Sequence, residues 1–272
     1  SLMRKLAIIG GTGVYGPALL SNTKTTSIKT PYGQAVYTSG IFMDKEIIFM
    51  TRHGANHTIP PHKINYRANI YALKMLDVVA IVATTAVGSL NPDMKPGEMV
   101  LVDQLLDFTK SREHTFYDGS PLPVAHVDLT EPYCGTLRKM IAEAAKKEKL
   151  PLHEKGTYVC TEGPRFETAG EIKMYAQLGG DVVGMTNAPE CPLAREAEIA
   201  YTTVSLVTNF AAGISPQNLT HGEVVEAMEK NSEQLKKLLR SVMTTFDPAF
   251  DSPALHAMAE YGGFKVEQGI KL

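Results

Sequence analysis

A glycine-rich turn follows the first apolar run of the sequence. Residues 5–9 predict a strand, and Gly10-Gly11-Thr12-Gly13 comes directly after it. Glycine lets backbone N–H groups approach an anion closely, and the Thr12 hydroxyl adds a further donor. The segment lacks both the GxGxxG spacing of dinucleotide-binding loops and the GKS or GKT ending of ATP-binding loops. It therefore favours an anion site unrelated to those cofactors, although ordinary turns after strands have the same pattern.

Arg52 and His53 follow a second apolar run, residues 46–51. The arginine guanidinium is a planar fork of donors that suits phosphate oxygens, and a histidine ring adds another donor. A surface salt bridge for Arg52 and a capping role for His53 would account for the same residues. The pair is a second candidate for oxyanion binding.

A third candidate is the segment Thr84-Thr85-Ala86-Val87-Gly88, at the end of the strand predicted for residues 78–84. It offers hydroxyl groups and backbone N–H groups beside a glycine. The carboxyl ends of parallel strands meet at one edge of a sheet, where open α/β sheets bind ligands. The three segments together therefore predict a phosphate site at that edge more strongly than any one of them alone.

The elements that must position these residues alternate between strand and helix patterns, as in α/β proteins. Strands are predicted at residues 5–9, 46–51, 78–84, 99–102, 156–161, 181–185 and 202–208, and helices at residues 65–76, 136–149, 168–178 and 190–199. A last long helix follows Thr220 and Glu223, whose spacing fits a capping box, and its apolar stripe to about residue 245 predicts core packing. We expect one domain over residues 3–246, and a less regular tail over residues 247–272 that packs on the same domain or on a neighbouring subunit.

Composition limits the classes of protein to which the chain could belong. The formal net charge is −2 and 21% of the residues are charged, which argues against the broad basic surface of a nucleic-acid-binding protein. Cys134, Cys160 and Cys191 lack CxxC spacing, and favour a reducing cytoplasm over a disulfide framework. No apolar run approaches the roughly 20 residues of a membrane-spanning helix. We place the natural start at Met3, since Ser1-Leu2 resembles a remnant of expression.

Six segments follow one another in an order that is typical of one enzyme family. They are Gly10-Gly11-Thr12-Gly13, Arg52-His53-Gly54, Asn65-Tyr66-Arg67-Ala68-Asn69, residues 85–90, residues 162–168 and residues 184–190. Together they resemble the trimeric purine nucleoside phosphorylase and methylthioadenosine phosphorylase family. The resemblance implies a single-domain α/β phosphorylase fold with a twisted, mixed central β-sheet flanked by helices. It also implies inorganic phosphate and purine nucleosides as substrates, no metal and no organic cofactor, and self-association as a trimer or a dimer of trimers.

The resemblance implies roles for individual residues. The expected phosphate contacts are Thr12, Arg52, His53, Thr85, Ala86 and Thr186. Met185 resembles the residue that packs beneath the ribose, and Phe166 and Ala211 are expected to line the substrate site. His126 resembles a residue that reaches across a trimer interface into the neighbouring pocket, although an ordinary loop histidine looks the same in the sequence. His57 falls near the sugar and phosphate region and receives no distinct task.

Two polar residues bear on the choice of base, Glu167 and Asn209. A 6-oxopurine offers N1–H as a donor to Glu167, and N7 and O6 as acceptors for the Asn209 amide. Adenine would leave unpaired or repelling groups there, at a cost of order 1–3 kcal/mol each. Methylthioadenosine phosphorylases are similar but have Asp where this chain has Asn209, which favours inosine and guanosine. The alternative is that Glu167 pairs with Arg165 on the surface and Asn209 caps a helix.

The expected reaction is attack of bound phosphate on C1′ through an oxocarbenium-like transition state, while Asn209 stabilises charge that develops at N7 and O6. Arg52, His53 and Thr186 are the other candidate catalytic residues, through the phosphate. His221 is the candidate reader of a 5′-hydroxyl, because methylthio-specific relatives look apolar at that place; a histidine that merely caps the last helix is the alternative. S-methyl-5′-thioinosine is the second candidate substrate, and methylthioadenosine a weaker one. A nucleoside hydrolase and a purine-binding sensor are the rival functions.

Overall fold

A mixed β-sheet runs through the computed structural model, which describes residues 4–10, 17–54, 56, 58–214 and 221–266. Thr12 and His57 lie outside these residues, as does the side chain of His221. In the described residues the sheet has ten strands: β1 Lys5–Gly10, β2 Ser21–Thr30, β3 Gly33–Phe42, β4 Lys45–Thr51, β5 Val78–Ser89, β6 Met99–Leu101, β7 Gln104–Phe108, β8 Thr157–Thr161, β9 Val182–Gly184 and β10 Ala200–Phe210.

Five helices of two turns or more accompany the sheet in the described part of the chain. They are α1 Tyr66–Met75, α2 Gly135–Lys147, α3 Ala169–Gln177, α4 Asn187–Glu196 and α5 His221–Thr245. No helix among the described residues is long and apolar enough to cross a bilayer.

The helices cover both faces of the sheet because the residues of each buried strand alternate in direction. On β1, Leu6 and Ile8 belong to one apolar cluster with residues of α2 and α5. Ala7 and Ile9 belong to another cluster, with residues of α1 and α4. A third, smaller cluster packs α3 against β8 and β9. This arrangement confirms the expected α/β class with a covered, mixed central sheet.

Strands β4, β1 and β5, which precede or contain the three candidate oxyanion-binding segments, lie in this order and run parallel. The strand order is β2-β3-β4-β1-β5-β9-β8-β7, with β10 paired to β5 and β6. Strand β1 is parallel to both β4 and β5, and β10 is parallel to β5. The carboxyl ends of β1 and β4 therefore lie side by side, as the sequence predicted.

Strand β5 is the branch point of the sheet. On one side it pairs with β10 from Ala80 to Ser89. On the other side it pairs with β1 as far as Ala83, and with the antiparallel β9 from Gly88. Between these two registers, residues 84–87 have no strand partner on that side within the described residues. We call this stretch the β5 gap.

Several elements differ from the predicted ones. The hairpin β2–β3 and the short β7 were not predicted; β2 is rich in Ser, Thr and Lys and mostly exposed, so it lacks an apolar pattern. Strand β5 continues five residues past its predicted end at Thr84, because β10 and β9 pair with its second half. Helix α4 is kinked at Ala188, whose φ of −115° and ψ of 126° are not helical, so its regular part begins close to the predicted start at residue 190.

The described part of the tail, residues 247–266, packs against the rest of the chain. The Glu198 carboxylate accepts hydrogen bonds from the backbone N–H groups of Met258 (3.1 Å) and Phe264 (2.7 Å). The Phe264 ring is buried beside Phe116, with ring centroids 5.1 Å apart. The Tyr261 hydroxyl accepts a hydrogen bond from the backbone N–H of His126 at 3.2 Å. The tail is thus fixed by both its backbone and its aromatic side chains.

Candidate active site

A cavity of about 570 Å³ opens at the β5 gap. Its size is in the range of pockets that enclose small organic ligands. Most of the residues predicted from the sequence line it: Arg52, His53, Thr85, Ala86, Phe166, Glu167, Met185, Thr186, Asn209 and Ala211. The fold therefore brings the predicted phosphate, sugar and base contacts to one cavity.

The remaining predicted residues do not appear among the described lining. Thr12 and the side chain of His221 fall outside the described residues. His126 is exposed, and its backbone rather than its ring makes the described contact, with Tyr261. A role of His126 in a neighbouring subunit stays a prediction.

Seven further lining residues were given no individual role from the sequence: Pro61, Val87, Gly88, Val183, Gly184, Thr208 and Ala212. Val87, Gly88 and Gly184 belong to segments that the sequence analysis had singled out, whereas Pro61 and Val183 give no chemical signal. All but Pro61 are within two residues of a predicted contact in the chain, so the strand and turn geometry accounts for their position.

The β5 gap presents backbone groups to the cavity. The Thr84 carbonyl accepts a hydrogen bond from Arg52 Nη1 at 3.2 Å, which shows that the backbone of Thr84 faces the β4 and β1 side. In a strand, the N–H and C=O groups of residues i and i+2 point toward the same neighbour. The Ala86 N–H therefore points into the gap, where an anion could accept it.

Arg52 is buried and held by an acidic partner from α4. Its Nε and Nη2 donate to the two carboxylate oxygens of Glu190 at 2.7 and 2.9 Å, and Glu190 also accepts from the Tyr201 hydroxyl at 2.7 Å. Burial alone would lower the pKa of Arg52, but the pairing with Glu190 outweighs it and raises the pKa above its usual value. Arg52 is therefore a permanent guanidinium in a fixed orientation. The contacts with Glu190 and Thr84 engage three of its five N–H groups.

The ring of His53 has a defined tautomer. Its Nδ1 lies 3.0 Å from the carbonyl oxygen of Ile59. Because a carbonyl oxygen only accepts, Nδ1 carries a proton and donates it. In the neutral ring, Nε2 is then an acceptor, so the ring can donate to a phosphate oxygen through Nε2 only when that nitrogen is protonated as well.

The turn from β9 into α4 carries Met185 and Thr186. Arg112 Nη1 donates to the Met185 carbonyl at 2.7 Å, and the Thr186 N–H donates to the Tyr158 hydroxyl at 3.3 Å. Gly184 packs so closely on the Tyr158 hydroxyl that a Cβ would overlap it. The buried side chains of Arg112 and Tyr158 thus hold the turn in position.

Glu167 and Asn209, the two residues expected to contact the base, both line the cavity. Glu167 Oε2 accepts from the Thr161 hydroxyl at 2.9 Å. Asn209 Oδ1 accepts from the Thr208 hydroxyl at 2.7 Å, while its Nδ2 donates to the Phe210 carbonyl at 2.9 Å. The Thr208 hydroxyl has one hydrogen and also lies 3.2 Å from the Val87 carbonyl, so it does not by itself orient the amide. The Phe210 carbonyl only accepts, and it therefore fixes which end of the Asn209 amide is nitrogen.

The two alternatives considered for these residues are wrong. Arg165 pairs with Glu171, at 2.9 and 3.1 Å, rather than with Glu167. Asn209 lies within β10, far in the chain from the helix that begins at His221, and therefore caps no helix. Phe166 remains 83% exposed at the cavity wall, so its ring is free to cover a planar ligand.

Among the described residues, no three His, Cys, Asp or Glu side chains are grouped closely enough to hold a metal ion. The three cysteines are buried free thiols.

The fold and the residues that line the cavity agree with the family indicated by the sequence. Residues 5–244 match the model of the Phosphorylase superfamily, and the chain belongs to that superfamily. It is 58% identical to a 6-oxopurine nucleoside phosphorylase of Pyrococcus furiosus over 243 aligned residues. The alignment covers 87% of this chain and 91% of that protein. The chain is 45% identical over 241 residues to an S-methyl-5′-thioadenosine phosphorylase of Thermofilum pendens, which covers 88% and 91%.

A solved structure shares the fold over nearly the whole chain. It is a methylthioadenosine phosphorylase from an antarctic soil metagenomic library, with a TM-score of 0.86 and 38% identity, covering 96% of this chain and 92% of that chain. The similarity to purine nucleoside and methylthioadenosine phosphorylases expected from the six segments is confirmed.

Proposed function

We propose that this chain is a 6-oxopurine nucleoside phosphorylase that cleaves inosine and guanosine with inorganic phosphate. The products are the free base and ribose 1-phosphate, and the reaction serves purine salvage. The observation that carries the proposal is the presence of Glu167 and Asn209 in the same cavity as Arg52, Thr85 and Thr186. Relatives at 52–58% identity that are named 6-oxopurine or probable 6-oxopurine nucleoside phosphorylases support it.

Phosphate is proposed to bind at the β5 gap. Thr12, Arg52, His53, Thr85, Ala86 and Thr186 are its proposed contacts. Since Glu190 balances the charge of Arg52, oriented N–H and O–H donors rather than net positive charge hold the anion. The preformed pair also means that Arg52 needs no reorientation when phosphate enters.

The proposed reaction takes place at the ribose, between the bound phosphate and the base. A phosphate oxygen forms a bond to C1′ of the ribose above Met185 while the bond from C1′ to N9 breaks and its electrons pass into the purine. Asn209 donates to N7 or O6, where negative charge increases, and Glu167 accepts from N1–H. The departing base then takes up a proton. No side chain forms a covalent intermediate, and no metal or organic cofactor is needed.

Base choice follows from the Asn209 amide orientation. The Phe210 carbonyl takes one Nδ2 hydrogen, so the second Nδ2 hydrogen is the group left to meet the base. A donor at this position suits the acceptors N7 and O6 of a 6-oxopurine. It opposes the amino group of adenine, which is itself a donor.

The test is base release from inosine with and without phosphate, together with detection of ribose 1-phosphate. We expect release only when phosphate is present. Undiminished release without phosphate would instead establish a hydrolase, and tight binding of inosine without turnover would establish a sensor.

S-methyl-5′-thioinosine is a second candidate substrate, since solved structures similar to this chain are named methylthioadenosine phosphorylases. The 5′ position of the sugar decides between the two, and His221 is the proposed reader of a 5′-hydroxyl. Measuring kcat/KM for inosine and for S-methyl-5′-thioinosine separates them. A tenfold or greater preference for the methylthio nucleoside would overturn the assignment to inosine and guanosine.

The proposed assembly is a trimer or a dimer of trimers in the cytoplasm, with His126 reaching into a neighbouring site. The exposure of His126 in the single chain is compatible with this role. Sedimentation at working concentration tests it, and a monomer with full activity would contradict it.

A further inference from the structure

Thr85 has a buried hydroxyl partner that does not line the cavity. Thr85 of β5 and Ser205 of β10 are register partners on adjacent parallel strands. Their side-chain oxygens are 2.8 Å apart, and the two residues are 3% and 0% exposed. Thr85 lines the cavity, whereas Ser205 is absent from its described lining. Ser205 therefore hydrogen-bonds a proposed phosphate contact without lining the cavity itself.

The direction of this hydrogen bond depends on the ligand. Either hydroxyl could donate to the other when the site is considered alone. The ionised oxygens of phosphate only accept, so a Thr85 hydroxyl that contacts them must point its hydrogen at the anion. The Thr85 oxygen is then an acceptor, and the Ser205 hydroxyl can donate its hydrogen to it. Hydrogen bonds in such a chain polarise one another and strengthen the terminal donor.

We propose that Ser205 is a positioning residue for phosphate, which acts by donating to Thr85 and thereby directing the Thr85 hydroxyl at the anion. The proposal rests on the proposed function, because it requires phosphate to bind at Thr85. Ser205 touches no reacting atom and affects the base and sugar only through the phosphate. The position gives no signal in the sequence, since a serine within an apolar strand is also common as ordinary packing.

The matched pair of variants is Ser205→Ala and Thr202→Val. Thr202 is a buried residue of the same strand, whose hydroxyl donates to the Ile81 carbonyl of β5 at 3.5 Å and not to a cavity residue. We expect Ser205→Ala to raise KM for phosphate about 3- to 10-fold, the effect of one neutral hydrogen bond, with KM for inosine and kcat at saturation little changed. Thr202→Val is expected to leave KM for phosphate unchanged.

A double-mutant cycle separates positioning from packing. In a Thr85→Val background the Ser205→Ala change has no hydroxyl to direct, so we expect no further rise in KM for phosphate. Additive effects of the two changes would contradict the proposal. Ser205→Cys retains the side-chain volume with a weak donor, and is expected to raise KM for phosphate as well if Ser205→Ala folds poorly.

The outcomes distinguish this inference from the proposed function. A wild-type protein without phosphate-dependent cleavage of inosine would refute the function, and with it the basis of the inference. An active wild type whose KM for phosphate is unaffected by Ser205→Ala or Ser205→Cys would refute the inference alone. Equal changes of KM for phosphate and for inosine would also refute it, because they would indicate a general distortion of the cavity.

Discussion

At the residue scale, the amide of Asn209 is the group whose chemistry depends most on its neighbours. An Asn side chain has a donor end and an acceptor end, and rotation by a half turn would exchange them. The Phe210 carbonyl, which only accepts, holds the Nδ2 end in one arrangement. The same side chain in the opposite arrangement would accept from an amino group, so the backbone of the next residue contributes to the proposed choice of base.

The variant Asn209→Asp tests this assignment. A carboxyl group can share a proton with N7 and accept from the exocyclic amine of adenine, while Glu167 continues to oppose adenine. We expect a partial switch: kcat/KM for inosine falls by the equivalent of about 2–4 kcal/mol, and adenosine becomes relatively better. Steady-state kinetics with both nucleosides measures it, and unchanged kinetics for both would remove Asn209 from the base site.

Ser205 and Glu190 show why part of the site escapes prediction from sequence. Arg52 and Thr186 are polar residues at a strand end and a turn, and Thr85 follows a predicted strand end, where ligand contacts are common. Glu190 and Ser205 lie within a helix and a strand, and their importance depends on the distant residues Arg52 and Thr85, which only the folded chain brings beside them. Tertiary pairing of this kind has no local pattern.

At the element scale, α4 is attached to the sheet through a buried ion pair. Glu190 and Arg52 have side chains that are 3% and 1% exposed. Removal of one partner leaves a buried charge without compensation. We expect Glu190→Ala to lower the free energy of unfolding by about 3–5 kcal/mol, as measured by urea denaturation.

The control for this prediction is Glu233→Ala, which removes an exposed i,i+3 pair with Lys236 from α5. Exposed pairs contribute little, so we expect a change below about 1 kcal/mol. Equal effects of the two variants would show that the buried pair has no special weight.

The beginning of α3 has a reciprocal cap that extends to Arg165. Thr168 and Glu171 form a capping box, and Arg165 donates to both carboxylate oxygens of Glu171. The hydrogen bond from Arg165, followed by those from Thr168, lowers the pKa of Glu171 to about 2. A depressed pKa stabilises the fold above the unfolded value near 4.5, and this contribution is lost as the pH falls toward 2.

We predict that Arg165→Ala raises the pKa of Glu171 toward its ordinary value. Carbon NMR of the labelled side-chain carboxyl, followed as the pH is lowered, measures the change. A pKa that stays near 2 in the variant would show that the Thr168 contacts alone are sufficient.

The strands differ in how far the sequence determines them. Runs such as β1 and β4 are apolar because both faces of the sheet are covered, and they were predicted nearly to their ends. The hairpin β2–β3 extends the sheet at its edge with largely exposed residues, so backbone pairing rather than burial defines it. The second half of β5 contains Gly88, which resembles a strand end in sequence but pairs with both β9 and β10.

At the scale of the whole molecule, the tail joins two parts of the chain that are far apart in sequence. Phe264 packs with Tyr71 of α1 and with Phe116 and Tyr117, at ring-centroid distances of 5.9, 5.1 and 6.1 Å. We expect Phe264→Ala to lower the free energy of unfolding by about 3–5 kcal/mol, since it removes a buried ring from this group. Denaturant unfolding measures the loss.

The variant Phe264→Leu retains most of the apolar volume and should lose clearly less stability than Phe264→Ala. If both variants match the wild type, the Phe264 ring contributes nothing to the stability of the fold.

The direction in which each group of the β5 gap points depends on whether its position in the strand is odd or even. The Ala86 N–H faces the gap and the Thr85 hydroxyl faces Ser205 because they are neighbours in a strand, where successive residues alternate between edges and faces. Insertion or deletion of one residue between Ala83 and Gly88 would exchange these directions, although every residue type remained available. Asn209 of β10 obeys the same alternation, whereas the loop over residues 162–168, which carries Glu167, does not. We therefore expect β5 and β10 to tolerate only exchanges of side chain at constant length, and changes of length to be better tolerated in that loop.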